Sequence, residues 1–368
     1  MTFSPDALRP RPDAPDQPAA DAADRLILDE SAAARADLSG NDIAVIADGD
    51  GALTLGAAAA AASGVVRVHQ DSLAGERALA ASAVAAGLGD AVASLPLGDG
   101  LLTGARVVLV RLPKSLDQLR DIAGTIAAHA APDVQVYAGG RLKYMTVAMN
   151  DVLGEFFGRI DVSHARQKSR VLIAREPRDG RDPAPRRAVH DGLTVCAFGG
   201  AFAGTAIDIG TRFLLEALPA ELPSDGAVID LACGTGVVAT RLAQQHPSRL
   251  IHASDASAIA VASARATAAA NGVADRVTVV RDDALSTVAD AAASFIALNP
   301  PFHSGAAVDT GLAAHLFADA ARVLRPGGEL WTVWNSALRY RPELESIVGP
   351  TRQIARNDKF TVTASVRP

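Results

Sequence analysis

One run of strand, glycine-rich turn and helix constrains this chain more than any other feature. Ala227 to Leu231 reads as a strand, Cys233-Gly234-Thr235-Gly236 as a tight turn, and Gly236 to Gln245 as a helix. A strand at Leu250 to Ser254 and a helix at Ala258 to Asn271, capped by Gly272, come next. Strands at Val277 to Arg281 and Phe295 to Leu298 follow, then a helix at Thr310 to Leu324 ended by Pro326-Gly327-Gly328. Strands at Leu330 to Trp334 and Phe360 to Val366 close the chain. Short β-branched runs alternating with Ala-rich helical runs predict an α/β fold, a parallel sheet wrapped on both faces.

The first half repeats this plan. Val45-Ile46-Ala47-Asp48 precedes a Gly-Asp-Gly turn, much as Val228-Ile229-Asp230 precedes Cys233-Gly234-Thr235-Gly236. The strand Val65 to Val68 leads to Asp71 as Ile251 to Ser254 leads to Asp255. The strand Val107 to Val110 leads to Leu112-Pro113-Lys114 as Phe295 to Leu298 leads to Asn299-Pro300-Pro301. The three separations are nearly equal, which predicts a duplication: two tandem Rossmann-like, doubly wound domains.

A length of 368 residues suits two domains, and 49% apolar residues exclude wholesale disorder. The Pro- and Asp-rich stretch 1–24 reads as a disordered tail without a signal peptide, and 176–187 as a linker between domains at 25–175 and 188–368. Two cysteines exclude a disulfide scaffold or a four-cysteine zinc site, and no metal is expected. A net charge of −6 excludes a strongly basic coat. The Ala-rich stretches are too short and weakly apolar to span a bilayer, so a cytoplasmic protein without membrane contact is expected, with a monomer favoured.

The chemistry gathers in the second half. Gly234 and Gly236 let backbone pass close to a ligand at a helix N-terminus. Asp255, at the end of the next strand, is placed to accept both hydroxyls of a ribose, and Asp283, after the third strand, an adenine amino group. An adenosine-containing ligand is the expectation. Gly234, Gly236 and Ala239 also fit a dinucleotide loop, so a nicotinamide dehydrogenase stays open. Asp230 favours S-adenosylmethionine, because an anion there suits an ammonium and repels a pyrophosphate. It also suits the plainer task of capping the loop. Cys233 reads as a packing residue, since no histidine pairs with it.

Asn299-Pro300-Pro301-Phe302 follows the fourth strand, at the carboxyl edge where doubly wound sheets bind ligands. An exocyclic amine carries two N–H donors. The Asn299 side-chain oxygen and the Pro300 carbonyl can accept both, which aims the nitrogen lone pair at a methyl donor. Proline fixes the backbone, and Phe302 offers a face for a flipped base. Positioning and acceptor electrostatics supply such a reaction without a metal.

Asp230 to Gly236, Asp255 and Asn299-Pro300-Pro301-Phe302-His303 together resemble class I S-adenosylmethionine-dependent methyltransferases acting on exocyclic amines. With His303, the form is similar to the RsmC/RlmG family of bacterial ribosomal RNA guanine-N2 methyltransferases. That family pairs two related domains, the first having lost catalysis. The RlmG branch is closer, through Leu112-Pro113-Lys114-Ser115, Lys168-Ser169-Arg170 with the Leu-Ile-Ala after it, Asp208-Ile209-Gly210 and Asn357-Asp358-Lys359-Phe360. The resemblance implies a large-subunit rRNA guanine as target. It implies Asn299 and Pro300 on the guanine amine, with Pro301 in the same motif, and Phe302 stacked on the base. Gly234, Gly236, Asp255 and Asp283 would hold the cofactor, with Asp208 at the methionine moiety. Ala232 departs from a usual family Gly, and the stretch 1–24 has no counterpart in the resemblance. His303 is expected to position the nucleotide more than to act as a base.

The first domain carries Leu112-Pro113-Lys114-Ser115 where the second carries its Asn-Pro-Pro-Phe motif, so it is expected to be degenerate and to bind RNA or support its neighbour. Between Arg159 and Arg187, nine Arg or Lys stand against four acids, and Arg166, Lys168 and Arg170 are the candidate RNA contacts. Ribosomal RNA or a ribosomal subunit is then the partner. Other readings remain: a small-subunit guanine, adenine N6 or a protein glutamine as target, or a non-catalytic RNA-binding assembly factor.

Overall fold

The structure is a computed structural model and describes residues 20–301 and 310–368. The chain divides into two compact units, Met1–Ala184 and Pro185–Pro368. The first contains α1 (Ala22–Arg35), β1 (Ile43–Ile46), α2 (Ala52–Ala60), β2 (Val66–His69), α3 (Leu73–Ala85) and β3 (Val92–Ser94). It continues with α4 (Asp99–Leu102), β4 (Val107–Arg111), α5 (Leu116–His129), β5 (Gln135–Arg141), α6 (Ala148–Gly154), β6 (Phe157–Val162) and β7 (Ser169–Pro177). The second opens on the hairpin β8 (Arg186–His190) and β9 (Leu193–Ala197), then α7 (Ile209–Ala217), β10 (Ala227–Leu231), α8 (Val237–Gln245) and β11 (Ile251–Asp255). After it come α9 (Ala258–Ala270), β12 (Val277–Arg281), β13 (Ala293–Leu298), α10 (Thr310–Val323) and β14 (Leu324–Asn335). The chain ends with α11 (Arg341–Ile347), β15 (Thr351–Arg356) and β16 (Phe360–Val366).

The two sheets have one topology. Their strand orders are β3-β2-β1-β4-β5-β7-β6 and β12-β11-β10-β13-β14-β16-β15. In each, five strands run parallel and the last two pair antiparallel. Strand β13 is buried along its whole length, as apolar layers on both faces require. Val228 and Phe295 pack on one side with Leu242 of α8 and Val261 of α9. Ile229 and Ile296 pack on the other with Phe317 of α10. Among the described residues no helix is long and apolar enough to cross a membrane.

Shared backbone features fix the correspondence between the units. Ala47 and Ala232 hold positive φ of 64° and 57° at the start of the turn. Gly51 and Gly236 hold φ of 91° and 73° before α2 and α8, and Ser72 and Ser257 cap α3 and α9. On this register Val45 stands for Asp230, Asp48 for Cys233 and Gln70 for Asp255. Ile46 pairs with Val110 as Leu231 pairs with Leu298, so Arg111, not Leu112, stands for Asn299. Asp71 is likewise one position away from the ribose-acid site. Matching by residue type had paired acid with acid, whereas the strand ladder pairs backbone with backbone.

Three boundaries differ from the sequence reading. Residues 22–24 belong to α1 and not to a tail, because Asp21 caps that helix and the Asp24 carboxylate accepts from the Asp21 N–H at 2.8 Å. Residues 1–19 lie outside the described residues. The stretch expected as a linker is partly strand, since β7 reaches Pro177 and β8 starts at Arg186. Between them, the Arg181 N–H donates to the Gly124 carbonyl at 3.1 Å, and Gly180 lies so close to α5 that a Cβ would meet Ala128 N at 2.2 Å. That segment is therefore docked on the first unit. Pro326-Gly327-Gly328 lies inside β14 instead of outside the sheet, because the strand begins directly at Leu324 where α10 ends.

The β8–β9 hairpin was absent from the sequence reading. Its two-residue turn is Asp191-Gly192, both at positive φ, the turn that strand twist favours. Strand β9 then bonds to side chains of α9 instead of to a third strand. Phe198 N–H donates to Ser263 Oγ at 3.1 Å, Cys196 N–H to Thr267 Oγ1 at 3.0 Å, and Thr194 N–H to Asn271 Oδ1 at 2.9 Å. These acceptors recur every fourth residue, so they line one face of the helix. The Thr267 hydroxyl also donates to the Cys196 carbonyl at 3.2 Å. Thr267→Val, which orphans both buried backbone groups, is expected to cost about 1–3 kcal/mol in urea unfolding, with Thr267→Ser near wild type.

Candidate active site

The strand order of the second unit reverses between β10 and β13, and the sequence-predicted acids and amide cluster at the carboxyl ends there. Gly234 and Gly236 have different tasks. A Cβ on Gly236 would meet Ala264 at 2.8 Å, so this glycine lets α9 close on the turn. A Cβ on Gly234 would meet nothing within 4 Å, so its bare face opens on free space. The Gly234 N–H donates to Asp255 Oδ2 at 2.9 Å, and the Ser257 N–H to Asp255 Oδ1 at 2.9 Å. These two bonds fix the carboxylate at the strand end, where a carboxylate can accept from ligand hydroxyls.

Asp230 is buried at 3% exposure, and its Oδ2 accepts from the Ala239 N–H at 2.9 Å in the first turn of α8. Burial pushes its carboxyl up to about 7, the Asp255 charge adds to that, and the Ala239 bond opposes it. It holds loop and helix together while storing a carboxyl close to ionisation. The Cys233 thiol is pushed up by burial and by both acids, which suits packing and not nucleophilic attack.

At the end of β12 two neighbouring acids divide the work. Asp282 is buried and accepts from Ser286 Oγ at 2.5 Å and from Thr287 N and Oγ1 at 2.9 and 2.7 Å. Its burial works to raise it, and those bonds hold it below the usual carboxylate range. Asp283 is the more open of the pair and lies 3.0 Å from His315 Nε2. Asp282 ties the turn, and sequence reasoning missed it; the Ser286-Thr287 pair after it was the available signal.

The reaction end is built around Asn299. Its Nδ2 donates to Thr211 Oγ1 at 2.9 Å and to Asp208 Oδ2 at 3.3 Å. The reverse amide orientation would set Oδ1 against the Asp208 carboxylate, so the charge selects this one. Asn299 Oδ1 is then left buried with no hydrogen-bond partner among the described residues. Asp208 caps α7, accepting from Gly210 N at 2.8 Å and Thr211 N at 3.3 Å. Gly210 keeps the space clear: a Cβ there would lie 3.5 Å from Asn299 Oδ1 and 3.3 Å from the Phe360 ring. Asn357 Oδ1, accepting from Lys359 N at 2.9 Å and Phe360 N at 2.7 Å, makes the turn that presents Phe360. Thr211 was not singled out in the sequence; its position three residues after a helix cap was the only hint. Pro300 is buried and Pro301 exposed. Phe302 and His303 lie outside the described residues.

The first unit shows the same frame closed by an ion pair. Asp21 caps α1 as Asp208 caps α7, Asp24 stands where Thr211 stands, and Arg111 replaces Asn299. Arg111 Nη1 lies 2.8 Å from Asp21 Oδ1 and 3.0 Å from Asp24 Oδ1. Burial pushes the Asp24 carboxyl up in spite of Arg111, while Asp21, against its own burial, is held low by the guanidinium and its cap bonds. Asp48, in the place of Cys233, accepts from Leu53 N at 3.1 Å and Thr54 N at 2.7 Å and fills the turn from within. Without the acid at Val45 and with Gln70 at the ribose position, this unit lacks the cofactor set. Of the residues expected to touch RNA, Arg166 pairs with Asp29, Arg170 has a buried Nε without a partner among the described residues, and Lys168 is exposed at positive φ in the turn before β7.

The chain matches the family model described as Methyltransferase small domain over residues 192–364, and that described as RLMG N-terminal domain over residues 7–178. The second match starts inside the stretch read as a tail without a counterpart. The chain is 34% identical to Ribosomal RNA large subunit methyltransferase G of Streptomyces avermitilis, over 94% of this chain and 92% of that one. It is 36% identical to the same-named protein of Streptomyces coelicolor, over 71% and 72%. With that of Pseudomonas aeruginosa it shares 35% over 69% of each. A solved structure titled T. Thermophilus 16S rRNA N2 G1207 methyltransferase (RsmC) in complex with AdoMet and Guanosine has the same fold, with a TM-score of 0.71 and 21% identity over 89% of this chain and 88% of that one.

An unfolded Asp ionises near pH 4, whereas Asp230 stays protonated in the folded chain up to about 7. Stability contributed by this site therefore falls as pH rises from about 4 to about 7, and Asp48, pushed up to about 6, adds a decline over a lower range. Asp230→Asn keeps an acceptor for the Ala239 N–H. It is expected to melt a few degrees above wild type at pH 7.5 and level with it at pH 4.5, as read by calorimetry.

Proposed function

We infer the reaction from one premise: the chain belongs to the ribosomal RNA large subunit methyltransferase G family, and it is an S-adenosylmethionine-dependent rRNA methyltransferase. Its proposed reaction is transfer of a methyl group to the exocyclic N2 amine of a guanine in large-subunit rRNA. The observation that carries the amine is Asn299 Oδ1, buried, without a partner among the described residues, and aimed by Asp208 and Thr211. An unmet buried acceptor costs about 1–3 kcal/mol, which an incoming N–H donor recovers. The RsmC structure, named for a guanine N2 and solved with AdoMet and guanosine, is consistent with the same ligand pair.

The residues at the carboxyl edge fit the cofactor. Asp255 suits its ribose hydroxyls, the open face of Gly234 its close approach, and Asp283 its adenine amine. Asp230, ionised, suits its ammonium. Bound there, S-adenosylmethionine supplies a methyl group on a sulfonium that leaves readily. Asn299 Oδ1 and the Pro300 carbonyl accept the two amine hydrogens, which concentrates the lone pair on nitrogen and turns it toward the methyl carbon. The methyl group would pass from the cofactor's sulfur to this nitrogen, and the surplus amine proton would pass to water. Phe302 stacks the base and His303 orders the nucleotide. The substrate sets the setting: the protein works in the cytoplasm, with rRNA or a ribosomal subunit as its partner.

Asn299→Ala is expected to lower methyl transfer at least 100-fold while cofactor affinity stays within about twofold, measured by radiolabelled transfer and calorimetry. Thr211→Val, which frees the amide to rotate, is expected to lower kcat about tenfold. Loss of N2-methylguanosine from large-subunit rRNA in a deletion strain identifies the target. An altered N6-methyladenosine or methylglutamine level instead would refute the guanine reading.

A further inference from the structure

The turn after β12 carries Asp283 beside the ribose acid. Asp255 pairs with Arg281 across the parallel ladder, and the Asp282 N–H donates to the Asp255 carbonyl at 3.1 Å, so Asp283 stands just past that bond. Helix α10 holds this turn in place. Its Leu316, Phe317 and Ala320 bury with Ala284 and Leu285. Asp319 Oδ2 accepts from the Leu285 N–H at 2.7 Å, and Arg322 donates to the carbonyls of Leu285 and Val288 at 2.8 Å each. One helix thus takes both backbone groups of Leu285, which fixes the path of the chain next to Asp283.

His315 continues the same stripe of α10, since His315, Asp319 and Arg322 recur at the spacing of one helix face. Its Nε2 lies 3.0 Å from Asp283 Oδ1. A carboxylate accepts, so the hydrogen between them belongs to Nε2. Asp319 and Arg322 grip backbone, whereas His315 grips the side chain that faces the cofactor. The two side chains are 49% and 35% exposed, so neither is needed to fill the core. A contact this exposed adds little to stability, which leaves orientation as its main effect.

Orientation matters because the 6-substituents of a purine differ in polarity. An amine donates to a carboxylate oxygen, and an oxo group sets lone pairs against it. A carboxyl group free to turn swings away from the wrong substituent and lets water between; one tied at Oδ1 stays and repels it. We propose that His315 is a positioning residue that selects the cofactor's base: by holding Oδ1 it keeps the Asp283 carboxylate facing the 6-amine, so the site takes an adenine nucleoside and refuses the 6-oxo counterpart. The inference rests on the reading of Asp283 as the acid at the adenine amine.

The test uses the full-length protein with S-adenosylhomocysteine and its 6-oxo counterpart S-inosylhomocysteine, both bound without turnover and read by calorimetry. Wild type is expected to prefer the adenine compound about 100-fold. His315→Ala is expected to cut that preference about tenfold. His315→Gln, whose side-chain amide brings an N–H to the same reach, is expected to keep it within about threefold of wild type. The ratio of the two affinities is the readout, because a general loss of structure weakens both compounds alike. Asp283→Asn, which can present an acceptor or a donor, is expected to abolish most of the preference. A wild-type ratio in His315→Ala, with the preference lost in Asp283→Asn, would overturn the role of His315 and leave the adenine acid standing. A wild-type ratio in Asp283→Asn would defeat the adenine reading, and the proposal with it.

Discussion

A carboxylate at the head of a helix, reaching to the residue that ends the fourth strand of the sheet, organises both halves of this molecule. In the second half the pair is Asp208 and Asn299, with the Thr211 hydroxyl as the other support. Because Asp208 can only accept when ionised, it fixes which end of the amide faces inward. The side chain that meets the substrate thus owes its orientation to a charge that the substrate need not touch. In the first half the same helix head holds Asp21 and Asp24 against Arg111. One frame gives an unmet acceptor in one place and a closed ion-pair cluster in the other.

The sheet explains why the remaining residues converge. Doubly wound topology leaves a crevice where strand order reverses, and the loops that carry Gly234, Asp283 and Asn299 each leave a strand at that edge, with Asp255 ending another. The two glycines of the turn illustrate how finely the edge is divided. Gly236 serves contact with α9, and Gly234 serves access. The acids follow the same division, with Asp282 spent on its own turn and Asp283 left more open.

Much of this was legible in the sequence, because strand–turn–helix alternation and strand-end acids leave periodic and spaced signals. The extents of β10, β12 and α9 were readable nearly to the residue. What escaped was register and long-range bonding. Four- and five-residue strands such as β1 and β4 carry no pattern that fixes pairing to a single position, so Leu112 stood in for Arg111 and Asp71 for Gln70. Thr211 escaped because its partner Asn299 is 88 residues away in the chain. The hairpin β8–β9 had a readable Asp191-Gly192 turn, but it adjoined a proline-rich stretch that read as linker. Ser263, Thr267 and Asn271 looked like ordinary polar positions on an Ala-rich helix, since their acceptor role depends on a strand some 70 residues earlier.

The Arg111 cluster also bears on history. If the halves arose by duplication, returning the first to an open pocket needs Arg111 and Asp24 exchanged together. Changing Arg111 alone strands two sheltered acids, and changing Asp24 alone leaves the guanidinium with a single counter-charge. Each intermediate is less stable than either endpoint. The loss of chemistry in the first half therefore behaves as a ratchet, and selection acting one substitution at a time has no downhill road back.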